Sequence, residues 1–207
     1  MRVVKMRVDF DILKNWVPQG SHVLDLACGD GALLRSLMDD RAVTGYGLEN
    51  DHTSITQCIE KGVNVIDREL VRDLSEFRNN SFDLVIMTQA IQVMKYPDII
   101  LDEMLRVGRE CIVTFPNFGN LRTRAHLALR GKMPVTKKLP YQWYDTPNIH
   151  FCTVADFQSL CQSKGYRFIN QATQAELLFN KQFKGLWPNL FAENAIYHLT
   201  KETTQTE

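Results

Sequence analysis

No stretch of this 207-residue chain reaches the ~18 consecutive apolar residues of a membrane span, so no transmembrane helix is expected. Charge of either sign is not in excess, since 24 Lys and Arg balance 24 Asp and Glu. A neutral chain lacks the electrostatic footprint for tight, non-specific binding of nucleic acid or an anionic membrane. The opening "MRVVKMRVDFD" has no apolar signal region and no cleavage site, so a cytoplasmic location is expected. Cysteine is sparse and unpaired in pattern: 28, 58, 111, 152 and 161, an odd number with no Cys-x-x-Cys. That argues against a disulfide framework or a zinc knuckle and for reduced, mostly buried thiols. His22, His52, His126 and His198 show no metal spacing, and no metal site is expected. Repeats, low-complexity runs and linkers are also missing. Residues 1–200 therefore read as one domain, with 201–207, "KETTQTE", as a polar tail.

What is present is an alternation of strand and helix signals. "FDILKNWV" places Ile12, Leu13, Trp16 and Val17 on one helical face and is stopped by Pro18 and Gly20. "HVLDLA", "VTGYGL", "VNVI", "FDLVIM" and "ECIVTFP" read as strands. A helix from about Gly31 to Met38, "HTSITQCIEKG" and "PDIILDEMLRVG" are the helices between them. A helix around "VADFQSLCQSKG" and strands "YRFINQ" and "NAIYHLT" follow. Near-continuous apolar strands suit a sheet covered on both faces. The expected fold is α/β, a Rossmann-like doubly wound, mostly parallel sheet.

The chemistry begins at "LDLACGDGALL", Leu24 to Leu34. In open parallel sheets ligands bind outside the carboxyl ends of the strands. Gly29 and Gly31 let the backbone approach such a ligand without a Cβ in the way. Glu49, 18 residues past Gly31, ends the second strand, where a carboxylate accepts hydrogen bonds from ribose hydroxyls. The dinucleotide fingerprint needs a third glycine, and here Ala32, Leu33, Leu34 and Arg35 follow Gly31. Asp30 between the glycines and Asp25 before them would repel a pyrophosphate but tolerate a cation. A ligand with an ammonium, a sulfonium and a ribose fits best, namely S-adenosylmethionine. The bland alternative is a tight strand-to-helix turn beside a solvated Glu49.

These residues resemble the first motif of class I S-adenosylmethionine-dependent methyltransferases, acid-x-Gly-x-Gly-x-Gly, through Asp25, Ala27, Gly29 and Gly31, with Ala27 departing at the first glycine. A closer resemblance is to the MetW family of methionine-biosynthesis proteins. It runs from "RVDFDILKNWVPQGSHVLDLACGDG" through "FDLVIMTQAIQ" and "EMLRVGRECIVTFPNFGN" to "RGKMPVTKKLPYQWYDTPNIHFCT". The resemblance implies a site for S-adenosylmethionine or S-adenosylhomocysteine. Its contacts would be Asp25, Ala27, Cys28, Gly29 and Gly31 on the turn, Glu49 and Asn50 after the second strand, Glu69 and Leu70 after the third, and Gln89 after the fourth. Asp67 competes with Glu69 as the acid that reads the adenine amino group. The resemblance also implies a partner, the homoserine O-acyltransferase of methionine biosynthesis.

A methyl acceptor is harder to read. The Asn/Asp-Pro-Pro-aromatic tetrapeptide is missing, and the nearest stretch, "FPNFGN", lies after the fifth strand. Gln89 and Gln92 stand where many small-molecule methyltransferases carry an acid or a histidine, and an amide is no general base. Residues 117–150 are too long for an ordinary loop and are expected to form an inserted lid or docking surface carrying a helix, "LRTRAHLALRG". Between Asn117 and Tyr144 this segment holds Arg122, Arg124, Arg130, Lys132, Lys137 and Lys138 and no Asp or Glu. That bias suits an anionic substrate, an acidic partner surface or a solvated basic face. Tyr141, Trp143, Tyr144, Asp145 and His150 combine aromatics with a titratable pair, so His150 is a candidate base oriented by Asp145, or else a hydrogen-bonded structural histidine. Three functions stay open: a MetW-like binding protein acting with the acyltransferase, a methyltransferase of a small acidic metabolite, and a nucleotide-binding oxidoreductase. The missing third glycine opposes the last.

Overall fold

The computed structural model describes residues 10–68, 74–136, 139–174 and 187–201. The strands form where the apolar runs lie: β1 (His22–Leu26), β2 (Thr44–Glu49), β3 (Val65–Asp67), β4 (Phe82–Thr88), β5 (Gly108–Pro116), β6 (Tyr166–Gln174) and β7 (Asn194–Lys201). They make one seven-stranded sheet in the order β3-β2-β1-β4-β5-β7-β6. β1 to β5 pair in parallel, and β7 runs antiparallel to both β5 and β6.

Helices cover both faces, as a doubly wound sheet requires. They are α1 (Phe10–Trp16), α2 (Ala32–Arg41), α3 (His52–Glu60), α4 (Pro97–Val107), α5 (Leu121–Arg130), α6 (Val154–Ser163) and α7 (Pro188–Phe191). On one face Leu13, Leu34, Leu37 and Cys58 of α1–α3 pack with Val23, Leu84 and Ile86 of the sheet. On the other, Leu101, Met104, Phe157 and Cys161 of α4 and α6 pack with Leu24, Val85, Cys111 and Tyr197. Each leucine so buried contributes about 1.5–3 kcal/mol. Successive strand residues point to opposite faces, so Val23 and Asp25 share the α1–α3 side and Leu24 and Leu26 the other.

Several boundaries differ from the sequence reading. α2 continues to Arg41, three residues past Met38, and is closed by Ala42 in a left-handed conformation. β3 is shifted to Val65–Asp67. β6 extends to Gln174 because its ladder to β7 continues through the Gln174–Asn194 pair. Two 3₁₀ turns, Leu74–Glu76 and Ile91–Val93, were not foreseen.

The long excursion after β5 is tied down at both ends. Asn117 is 3% exposed. Its amide donates to the carbonyls of Asn189 and Ala192, and its Oδ1 accepts from the N–H groups of Gly119 and Val154. The return of the excursion meets the 3₁₀ turn at Ile91–Val93, where the Gln92 carbonyl accepts from Ile149 and His150 N–H, each at 3.0 Å. Thr153 then opens α6 with a reciprocal cap to Asp156, a device worth about 1 kcal/mol.

Candidate functional site

Adjacent placement of β2, β1 and β4 brings three carboxyl-end segments together: Ala27–Gly31, Glu49–Asp51 and Gln89–Gln92. The turn after β1 has an alternating left-handed backbone, with φ of 54°, 55° and 70° at Ala27, Gly29 and Gly31. Ala27, the residue that departs from the family's first glycine, thus adopts a conformation that disfavours a side chain. A Cβ on Gly29 would meet nothing within 4 Å, whereas one on Gly31 would lie 2.8 Å from the Cys58 sulfur. The turn is therefore open over Gly29 and closed under Gly31.

Its N–H groups are largely committed. Gly29 N–H donates to Glu49 Oε2 at 2.9 Å, Gly31 N–H to the Cys28 carbonyl at 3.1 Å, and Ala32 N–H to Asp30 Oδ1 at 3.3 Å. A pyrophosphate on this turn would need such donors at the helix start, and the chain's own carboxylates hold two of them. Glu49 Oε1 also accepts from Asn50 and Asp51 N–H at 2.9 and 3.0 Å. Glu49 is thus fixed in place by three backbone donors. The Cys28 sulfur lies 3.8 Å from the Gly29 carbonyl. It is also 3.8 Å from the Cys58 sulfur, and burial pushes both thiols up, which keeps them unreactive.

Asp25 is the anomaly of the site. It is 1% exposed, and neither carboxylate oxygen has a hydrogen-bond partner. Burial, followed by the charge of Glu49, raises its pKa to about 8. A buried carboxyl with no partner costs stability, and a cation over the open turn would provide one. The residues present therefore fit a ribose-bearing cationic ligand: Asp25 for the cation, Gly29 for close approach, Glu49 for the diol.

The remaining sequence candidates fall as follows. Glu69 and Leu70 lie outside the described residues. Asp67 is exposed and pairs in register with Glu49 across β2 and β3. Asn50 is exposed beside Glu49. Gln89 has φ of 54°; its N–H and side-chain amide both meet Thr114 Oγ1, and its Oε1 is buried without a partner.

Gln92, His150 and the neighbouring apolar side chains Ile91, Pro97, Phe151 and Phe157 line a cleft of about 260 Å³. Gln92 Nε2 donates to the Gln89 carbonyl, which leaves its Oε1 buried and unpartnered, as is His150 Nε2. The structure does not join Asp145 to His150: Asp145 is exposed, and no hydrogen bond or ion pair links the two among the described residues. The sequence does not show the node at Gln92, because its contact to His150 spans 58 residues. No cluster of three or more His, Cys, Asp or Glu able to hold a metal occurs among the described residues, nor does any helix long and apolar enough to cross a membrane.

The family described as "Methionine biosynthesis protein MetW" matches residues 7–199. A curated relative, the bifunctional methionine biosynthesis protein MetXA/MetW of Rhodopirellula baltica, is 34% identical over 166 residues, covering 76% of this chain and 27% of its own length. The chain thus spans about a quarter of that relative. Among solved structures, an S-adenosylmethionine-dependent methyltransferase from Mesorhizobium loti superposes with a TM-score of 0.67 at 13% identity, covering 96% of this chain and 100% of the other. The plantazolicin methyltransferase BpumL in complex with S-adenosylhomocysteine gives 0.61 at 13% identity over 93% and 80%. At such identities the structures establish the shared class I methyltransferase fold.

Proposed function

The chain belongs to the MetW family of methionine biosynthesis proteins, and on that premise we propose that it binds S-adenosylmethionine or S-adenosylhomocysteine and acts in methionine biosynthesis together with homoserine O-acyltransferase. The observation that carries the binding reading is the buried, unpartnered carboxyl of Asp25 in β1, the strand that leads into the open turn at Gly29. Asp25 receives the ligand's cationic end, Gly29 admits it, and Glu49 takes the ribose hydroxyls. S-adenosylmethionine, when bound, supplies an electrophilic methyl group on a sulfonium. The partner reading is supported by the R. baltica relative, whose name joins MetXA and MetW in one polypeptide.

Titration calorimetry tests the ligand. S-adenosylhomocysteine and S-adenosylmethionine should bind one per chain, and NAD should not. At pH 7 Asp25 holds a proton in the free chain. A cationic ligand favours the carboxylate, so binding should release a proton and tighten as pH rises from 6 towards 8. Tight NAD binding sinks this reading.

A second reading, methyl transfer to a small metabolite in the cleft at Gln92 and His150, is favoured by the two unpartnered polar atoms there. The two readings part on His150→Ala. As a partner protein, this variant should still support acyl transfer to homoserine by the purified acyltransferase. Methylation of a metabolite extract that disappears in His150→Ala, with acyl transfer unaffected, would put the methyltransferase first.

A further inference from the structure

Helix α5 buries none of its ten residues. Leu121, Ala125, Ala128 and Leu129 nevertheless fall within about 100° of its circumference at 3.6 residues per turn, the width of stripe that a helix ordinarily turns into a core. Here Leu121, Ala128 and Leu129 of the stripe are exposed, Leu121 at 46% and Leu129 at 86%, while Ala125 is half-buried. Arg122 and Arg124 flank it on either side; Arg122 also lies 3.7 Å from Glu193, and Arg124 Nε donates to the Gly119 carbonyl. The helix is held by its ends: Asn120 caps the start and is tied to the Ala192 carbonyl, and Gly131 closes the other end in a left-handed conformation. A ten-residue helix is marginal in water without a buried face. From the same excursion Trp143 is 75% and Tyr144 71% exposed.

We propose that the Leu121–Leu129 stripe of α5 is the docking surface for homoserine O-acyltransferase, and that the complementary surface is an apolar groove rimmed by carboxylates. This rests on the partner reading above. The occupant follows from two observations. A relative is named as a bifunctional MetXA/MetW protein. The excursion from Asn117 to Tyr144 has arginines and lysines but no acid, so an acidic rim is its electrostatic complement. A second copy of this chain fits poorly, because a two-fold contact would set one basic surface against another.

The full chain and the acyltransferase of the same organism, titrated by calorimetry, provide the test. Leu129→Glu should weaken the complex at least tenfold, and Arg130→Glu should weaken it less and remove part of its salt dependence. S-adenosylhomocysteine affinity and helix content by circular dichroism should be unchanged, since Leu129 packs on nothing that would unfold. Equal binding by Leu129→Glu and wild type overturns the surface while leaving the partner reading intact. Absence of wild-type binding overturns the partner reading, and this surface with it. Leu129-dependent dimerisation, or Leu129-dependent binding to phosphatidylglycerol vesicles without binding to the acyltransferase, also overturns the proposal by naming another occupant.

Discussion

Asp25→Asn is expected to raise the melting temperature of the free protein and to weaken its hold on S-adenosylmethionine. The carboxyl titrates near 3.9 in the unfolded chain and at about 8 in the folded one. Between those values the folded state keeps a proton that the unfolded state gives up. Stability therefore falls as pH rises through this window, by about 1.4 kcal/mol per pH unit. At pH 7 the cost is roughly 4 kcal/mol. Asparagine has the same shape and no charge to lose. The two proteins should melt together near pH 4 and diverge towards pH 8, by roughly 10 °C at a few degrees per kcal/mol. The ligand should behave in the opposite sense. Asparagine cannot pair with a cation, so affinity for S-adenosylmethionine should drop tenfold or more, and the proton released on binding should disappear from the calorimetric signal. The variant would thus be more stable and less functional, the usual trade at a strained site. A melting difference that does not depend on pH contradicts this account of Asp25.

Glu49→Ala should weaken S-adenosylhomocysteine binding by about 1.5–3 kcal/mol, the range for hydrogen bonds to a charged group. At 1.4 kcal/mol per decade this is roughly tenfold to more than a hundredfold. Two effects contribute. The diol loses its acceptor, and the turn loses the carboxylate that holds the Gly29, Asn50 and Asp51 N–H groups. Glu49→Gln separates them, because an amide retains one acceptor oxygen for the backbone but not the charge. It should recover part of the affinity. The Glu49 charge also contributes to the high pKa of Asp25, so its removal relieves Asp25 and offsets part of the stability lost from the turn. Calorimetry at pH 7.5 on both variants decides the matter; wild-type affinity in Glu49→Ala would remove Glu49 from the site.

The residues that line the turn were legible because they are local. Asp25, Gly29, Gly31 and Glu49 belong to one strand–helix–strand unit, and a parallel crossover of that length sets the two strand ends side by side. The same locality let the apolar runs mark β1 to β5 and the proline and glycine signals mark α4. Other features depend on contacts between distant segments. The sequence marks "NAIYHLT" as a strand, but not that it inserts between β5 and β6 with the opposite direction. Asn117 looked like part of a loop motif, and only the approach of Asn189, Ala192 and Val154 makes it an anchor. His150 and Asp145 are neighbours in sequence and are not joined in space, whereas His150 and Gln92 are remote in sequence and bonded through the backbone. The "LRTRAHLALR" stretch reads as a helix with a basic bias, and its leucines and alanines share a face that most proteins would bury. Its exposure was decided by the tertiary structure. The pattern states which side chains share a face, and only the assembled sheet, with α6 packed on β5 through Phe157 and Phe115, determines whether anything is there to cover it.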